Sequence, residues 1–374
     1  GGQKCGARAF AHNFDYAALK EAVDYCHLRN VKLYVTVNTL YNNAEIDEIF
    51  DYLKYLYHIG VDALIIQDMG LFSLIKNHFP DIEIHMSTQA SVRNIEGVKY
   101  FAKQNIDRVV LAREMNIREI EEICHNCSID IEVFVHGALC MSYSGQCLMS
   151  SMIAKRSGNK GECGQPCRLP YSLLEDNKII KKQKYLLSPM DLCTIEKVPK
   201  LIDAGIKSFK IEGRMKTALY VATVARTYRK AIDDCLESEK KYRANMDWYH
   251  REISRCTYRQ FTTGFYYGKP NEESQIYDSN TYQSDAVYLG TVYETDRKGR
   301  ARIEQRNKFC VGDVIEIMKP DGRNVACQVL QIQDDQGEKM ESAPHPKQEL
   351  WLTLSETAET GDLLRTIVEK ETDE

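Results

Sequence analysis

Cys140, Cys147, Cys163 and Cys167 fall in a 28-residue window spaced C-x6-C-x15-C-x3-C. Small and turn-forming residues flank each thiol, in EVFVHGALCMSYSGQCLMS from Glu132 and GECGQPCR from Gly161. Thiolates on short glycine-containing loops suit a soft metal centre, and four of them fit an iron–sulfur cluster or a structural zinc. Zinc sites pair their ligands as two short hooks. Only Cys163 and Cys167 form such a hook here, so the spacing tilts toward iron–sulfur. Cys193, and Cys5 near the start, are placed to replace one member of the set. The pair Cys124 and Cys127 reads instead as a structural feature at the end of a helix, on the opposite side of the fold.

The elements that must position these thiols alternate. Apolar runs at Val31–Asn38, Val61–Asp68, Ile82–Gln89, Arg108–Glu114, Ile129–Gly137 and Ile206–Gly213 read as strands. Amphipathic stretches from Asp15, Asn43, Gly97 and Ile117 read as the helices between them. Strand–helix–strand repetition at this spacing implies βαβ units and a parallel sheet. If the opening Gly1-Gly2 ends one more strand and another strand precedes it, the total is eight, a (β/α)8 TIM-like barrel truncated at its N-terminus. A doubly wound sheet is the alternative, but no glycine-rich dinucleotide fingerprint follows any strand. The expected division is a barrel over 1–243 with a cysteine-rich insertion at about 138–205, a connecting segment over 244–281, and a C-terminal domain over 282–374. In the last of these, short alternating runs separated by DRKG, PDG and DDQG read as a small antiparallel β-barrel.

Chemistry in a parallel barrel gathers at the C-terminal ends of the strands. Those ends carry Asn38, Gln67, Asp68, Ser87, Thr88, Gln89, Arg113, Glu114, His136, Glu212 and Arg214, which as a set outline a polar pocket. From these and their neighbours we take Glu132, His136, Glu212 and Arg214 as candidate catalytic residues, and Arg168, Lys210, Gln89 and Asn38 as candidate substrate-binding residues. All four clustered cysteines lie in the long connection after Gly137, on this same face. A connection of that length is unusual unless it is functional or partly folded.

Composition narrows the class. With 374 residues, 43% hydrophobic, the chain can bury at least one large core. No apolar stretch is long enough for a membrane span and no secretory signal opens the chain. Thirteen cysteines in that setting point to a reducing cytoplasm, with thiols and metal ligands rather than disulfides. Net charge is −5, yet Ser151–Lys230 holds 17 Lys and Arg against 7 Asp and Glu, so about −15 is left to the remainder. Such asymmetry hints at a polyanion site.

Glu132–Cys140, Ser144–Ser150, Asn159–Arg168, Ser188–Cys193 and Ser208–Lys216 together resemble the signature of the collagenase-like peptidase family U32, and the resemblance extends over essentially the whole chain. Members open with a strand and helix ahead of the point where this sequence begins. The family was named for proteolysis, but it includes oxygen-independent hydroxylation proteins acting on tRNA wobble uridine, on a 23S rRNA cytidine and on ubiquinone. The resemblance implies a 4Fe-4S cluster on Cys140, Cys147, Cys163 and Cys167, with Cys193 and Cys5 as alternates, and prephenate as hydroxyl donor. One β-rich C-terminal domain and modest length point to the tRNA branch, making 5-hydroxyuridine. Lys155, Arg156, Lys160, Arg168, Lys181, Lys182 and Lys184 would then guide phosphates, and Arg214 and Lys210 could hold the carboxylates of prephenate. An rRNA cytidine hydroxylase of the same family is the first alternative, and two other readings stay open. One is a peptidase with Cys140 as nucleophile and His136 as base. The other is a zinc-stabilised RNA- or partner-binding module.

Overall fold

A computed structural model describes residues 13–279 and 281–368. Five strand–helix alternations open it: α1 (Tyr16–His27), β1 (Tyr34–Val37), α2 (Ile46–His58), β2 (Ala63–Ile66), α3 (Met69–His78), β3 (Glu83–Met86), α4 (Ile95–Lys103), β4 (Arg108–Val110), α5 (Ile117–Asn126) and β5 (Asp130–Ala138). Asp15, Asp68 and Asn94 accept from the first-turn amides of α1, α3 and α4. Asn42, ahead of α2, and Asn116, ahead of α5, form reciprocal capping boxes with Glu45 and Glu119. Each cap satisfies amides that cannot be paired internally, and so marks the approach to each of these five helices.

The connection expected after β5 is itself folded. It contains α6 (Met149–Ala154), a hairpin of β6 (Tyr171–Glu175) and β7 (Lys178–Lys184), β8 (Asp191–Cys193) and α7 (Val198–Asp203), and leads to β9 (Ser208–Ile211). Strands β1-β2-β3-β4-β5-β9 run parallel, giving all six strands read from the sequence. The far half of β5 also pairs antiparallel with β8, which pairs with β10 (Phe261–Thr262). Arg214, just past β9, donates to the Thr36 hydroxyl on β1 at 3.2 Å, so the row curls until its outer parallel strands meet through side chains. This is a TIM-like α/β sheet. The strand expected at Gly1-Gly2 and the alternate ligand Cys5 lie outside the described residues.

Register assigns the two faces. Thr36 pairs with Ile65, Ile65 with His85, His85 with Arg108, and Arg108 with Asp130. Further along, Glu132 pairs with Ser208 and Phe134 with Lys210. One face is therefore largely polar. The other carries buried Val35, Leu64, Ile84, Val109, Ile131 and Val133, the aliphatic set that helices cover in α/β folds.

The second unit comprises residues 216–259 and 281 onward, whereas 260–280 belongs with the parallel sheet. This division differs from the expected one, which placed the helix after β9 in the barrel domain and made 244–281 a connector. The reason is packing. The helix, α8 (Ala218–Glu237), joins α9 (Glu239–Ala244) and α10 (Met246–Ser254), and bonds to the C-terminal strands. Thr223 meets the Met318 sulfur at 3.5 Å and Arg226 donates to the Lys319 carbonyl at 2.8 Å.

The C-terminal strands are β11 (Ala286–Thr295), β12 (Ala301–Gln305), β13 (Val314–Met318), β14 (Asn324–Gln333), β15 (Lys339–Met340), β16 (Glu349–Leu354) and β17 (Leu363–Ile367). They pair in the order β13-β17-β11-β12-β16-β14, and β13 pairs back to β14, so six antiparallel strands close a barrel as expected. Its interior is aliphatic: Leu289, Val292, Ile303, Ile317, Val329, Ile332, Leu350, Leu352 and Leu364. Among the described residues no helix is long and apolar enough to cross a membrane.

Candidate functional site

The cysteine segment is pinned to the strand ends by the residues the sequence singled out there. Ser144, between Cys140 and Cys147, gives its amide to Glu114 at 2.9 Å and its hydroxyl to the same carboxylate at 3.1 Å. The Arg113 amide donates to the Ser144 oxygen at 3.3 Å. Gly145 has φ +75° and lies against the Gln89 carbonyl, where an added Cβ would come to 2.1 Å, so only glycine permits this approach. The Gln89 carbonyl also accepts from Gln67 at 3.1 Å, and Gln67 accepts from Asn159 at 3.1 Å. Asn159 in turn receives the Leu40 amide, and Asn38 donates to Ser87 at 3.2 Å. Asn38, Gln67, Gln89 and Glu114 thus work as clamps on neighbouring loops.

Four thiols converge on this platform. Burial pushes the Cys167 thiol above its ordinary pKa; Arg168 pulls it down, while Cys140, Cys163 and Cys147 lie close enough to add to the rise. Cys140 and Cys163 are exposed, Cys147 and Cys167 partly so. The Gln165 amide points at the Cys163 sulfur at 3.4 Å, and Arg168 reaches the Cys167 sulfur at 3.8 Å. Arg168 is buried and also donates to the Leu139 carbonyl at 2.8 Å, tying the Cys167 turn to the end of β5. A cavity of about 320 Å³ opens beside them, lined by Arg156, Cys163, Gly164, Gln165, Arg168 and Leu169. Among the described residues no three His, Cys, Asp or Glu side chains close tightly enough to hold a single metal ion.

The remaining candidates form two neighbouring groups. At the end of β5, buried His136 stands opposite Cys193 across the β5–β8 pair, and its carbonyl accepts the Glu212 amide at 2.9 Å. The Phe261 ring lies 5.5 Å from its imidazole. Arg113 lies 3.7 Å from the Glu212 carboxylate and stacks over Phe134 at 3.8 Å. Gly137, at φ +109°, lets β5 pass the Glu212 carbonyl, which an added Cβ would approach to 2.4 Å.

Deeper on the polar face, Glu132 is paired with Lys210 at 2.5 Å and Arg108 at 3.3 Å, and accepts from Ser208 at 2.9 Å. Burial would raise its pKa, but Lys210, Ser208 and Arg108 prevail and hold it below the usual carboxylate range. His85 sits beside them, buried and edge-on to Tyr34 at 4.6 Å; its Nε2 stands 3.6 Å from the Glu83 carboxylate, beyond hydrogen-bond distance, and neither ring nitrogen is hydrogen-bonded among the described residues. Burial, then Arg108, lowers its pKa and favours the neutral ring. Sequence reasoning missed His85, Arg108 and Ser208. For His85 and Ser208 the signal was alternation inside apolar runs, as in IEIHMS and SFKIEGR, where every second residue is polar; Arg108 opens RVVLARE, which does not alternate. At the other end of the fold, Cys124 and Cys127 lie at the end of α5 as expected, and burial pushes Cys124 up to about 11.

A TIM-like sheet with a polar inner face and a thiol-rich loop clamped over its strand ends, joined to a small β-barrel, defines the class. The family model for peptidase family U32 matches residues 1–276 and that for the U32 C-terminal domain matches residues 284–365. The chain belongs to peptidase family U32. It is 34% identical over 373 residues to tRNA hydroxylation protein P1 of Bacillus subtilis (strain 168), covering 98% of this chain and 88% of that protein. A 23S rRNA 5-hydroxycytidine synthase of Escherichia coli (strain K12) is 41% identical over 238 residues, covering 63% of this chain and 36% of that protein. A protein named collagenase from Porphyromonas gingivalis (strain ATCC BAA-308 / W83) is 31% identical over 327 residues, covering 83% of this chain and 78% of that protein.

Proposed function

We propose that this protein is an RNA-modifying enzyme that hydroxylates tRNA wobble uridine to 5-hydroxyuridine without oxygen, in the cytoplasm. In this reading Cys140, Cys147, Cys163 and Cys167 hold a 4Fe-4S cluster and prephenate is the hydroxyl donor. The observation that carries it is the convergence of four thiols beside a cationic cavity, in a chain related end to end to a protein named for tRNA hydroxylation. A structural zinc would draw four sulfurs to about 2.3 Å from one ion. Spacing is what sets the cluster above zinc in this reading, since only Cys163 and Cys167 form the short hook that zinc sites use in pairs.

When bound, the cluster would supply the redox or Lewis-acid chemistry that side chains lack. The chain's own residues bind and orient. The Gln165 amide and Arg168 would direct hydrogen bonds at ligand sulfurs, a common means of tuning such groups. Arg214, which donates to Thr36 and Asn13, would turn its planar fork to a carboxylate of the donor by exchanging these partners. Lys210 is held by Glu132, so it would serve a second carboxylate while sharing that pair. His136, beside the Phe261 ring at 5.5 Å, would hold a proton at the end of β5 in this reading.

The peptidase reading is less well served. The residue opposite His136 is Cys193, whereas Cys140 is exposed beyond the end of β5. The deciding experiment measures hydroxylated nucleosides by mass spectrometry in RNA from a deletion strain, rescued with the wild-type gene or with Cys163→Ala. The expected result is loss of 5-hydroxyuridine, restored by wild type only, with iron and acid-labile sulfide lost from anaerobically purified Cys163→Ala. Unchanged 5-hydroxyuridine in the deletion strain sinks the reading, and loss of a hydroxylated cytidine instead moves the substrate to rRNA.

A further inference from the structure

The hairpin of β6 and β7 is a two-stranded sheet that pairs only with itself among the described residues. Its tip is the dipeptide Asp176-Asn177, with φ of +48° and +60°, between the paired Glu175 and Lys178. Two consecutive left-handed residues make a type I′ turn, which matches the twist of the flanking strands. Every residue of β7 and four of the five in β6 are exposed. Leu173, Leu174, Ile179 and Ile180 are 45–58% exposed, and Leu174 faces Ile179 across the pair.

This arrangement is unusual for an unpartnered surface. A lone two-stranded hairpin is marginal in water, and neighbouring bare aliphatic side chains mark contact sites. The same strand carries Lys178, Lys181, Lys182 and Lys184. Lys184 is tied to Asp278 at 2.5 Å and Lys181 leans over Tyr277 at 5.5 Å, both near the root of the hairpin. Lysines along a strand edge discourage another strand from adding to it, which counts against a β-pairing protein partner. They attract phosphates. The root lies at the cysteine site: the Tyr171 hydroxyl donates to the Pro166 carbonyl at 2.9 Å, one residue before Cys167.

We infer that the 171–184 hairpin is an RNA-gripping arm that holds a single-stranded stretch of the substrate beside the cysteine loop. Lys181 and Lys182 contact phosphates, and Ile179 and Ile180 pack against bases or riboses splayed from the stack. Single-stranded RNA offers both surfaces, because its unstacked bases are open to side-chain packing. The inference rests on the RNA reading above and adds the contact element and the strand state it recognises.

The test uses the full chain with two double variants, Lys181→Ser with Lys182→Ser, and Ile179→Ser with Ile180→Ser. All four positions are exposed, and circular dichroism checks that both variants fold. Fluorescence anisotropy follows binding to bulk tRNA, to a stem-loop with an open uridine-containing loop, and to the same sequence fully duplexed. The lysine variant is expected to bind all three more weakly, with the slope of log K against log salt reduced by about 1 to 2. The isoleucine variant is expected to lose affinity for the stem-loop several-fold while keeping its salt slope and its duplex binding. If wild type binds tRNA and both variants match it in affinity and slope, the arm proposal falls and the RNA reading stands. If wild type binds no RNA, both fall. A change in sedimentation of the isoleucine variant with RNA binding intact would reassign the arm to self-association.

Discussion

The two β-structures of this protein fill their interiors in opposite ways. Inside the C-terminal barrel, Val292, Ile303, Ile317, Val329, Leu352 and Leu364 form a continuous aliphatic core, each essentially without exposure. On the inner face of the parallel sheet stand Thr36, His85, Arg108, Glu132, Ser208 and Lys210. Burying charge costs several kcal/mol per ion even when paired, and apolar replacements are often as stable. A purely structural sheet would therefore gain nothing from this set. The second unit does bury charges, but around its barrel: Glu252 receives both nitrogen-bearing arms of a helix–strand tie, from Arg226 and from Arg365 at 3.0 Å. Neither network is fully paired: Arg226 Nε in the second unit, and Arg108 Nε and the His85 ring in the parallel sheet, have no hydrogen-bond partner among the described residues, the Glu83 carboxylate standing 3.6 Å from His85. What differs is placement: the second unit's charges tie a helix to strands, whereas those of the parallel sheet line its inner face.

The largest effect expected from breaking this contrast comes at Glu132. Glu132→Ala leaves Lys210 without its carboxylate and Arg108 with Asp130 alone, and should cost roughly 3–5 kcal/mol by chemical denaturation. The informative partner is the double variant Glu132→Leu with Lys210→Leu, which should recover much of that loss while abolishing RNA hydroxylation. If the double variant kept full activity, the polar face would be structural after all. Acid should act in the same direction. The folded-state pKa of Glu132 is depressed, so its stabilisation is complete above the ordinary glutamate value near ~4.3 and is lost as pH falls through the lower folded value. Stability measured from pH 7 downward should then fall more steeply below about pH 4 in wild type than in Glu132→Gln.

Inside the C-terminal barrel the expected effect is smaller and of another kind. Ile303→Val removes one buried methylene and should cost about 1 kcal/mol, with hydroxylation per folded molecule unchanged. Loss of activity at equal folded fraction would mean that the barrel interior shapes the site, which an aliphatic core gives no reason to expect.

Much of this contrast was open to sequence reasoning, and the missed parts share a physical cause. The six parallel strands announce themselves as apolar runs, because a sheet covered by helices needs aliphatic residues. The polar column was hidden within those same runs. His85 sits between apolar neighbours, and a short run does not say which face it buries. The Asp176-Asn177 turn was legible in principle, but its flanks, YSLLE and KIIKKQK, cover no core and so lack the alternation that marks a packed strand. The clustering of four thiols was readable from spacing. What spacing could not supply was the role of Gln89, Gln67 and Asn159, since their bonds join residues distant in the chain. That the helix after β9 packs against the C-terminal strands was not legible, for a related reason. Amphipathicity shows that a helix buries one face, not what lies against it.

Helix α8 offers the smallest and cleanest version of the comparison, since it carries two arginines one turn apart. Arg226 is buried and bound to Glu252, to Asn324 at 3.0 Å and to the Lys319 carbonyl. Arg229 is exposed and pairs with Asp233 four residues on, at 2.5 Å. By distance alone the exposed pair looks as strong as the buried one. In water its attraction is screened and two long side chains must be ordered to make it, so Arg229→Ala should shift stability by no more than about 0.5 kcal/mol. That small shift should vanish in high salt, whereas Arg226→Ala should cost several-fold more and respond little to salt, because the buried network is shielded from counterions. Equal effects at the two positions, read by denaturation at low and high salt, would show that burial does not set the value of charge in this fold, and the distinction between fastening and functional networks would lose its basis.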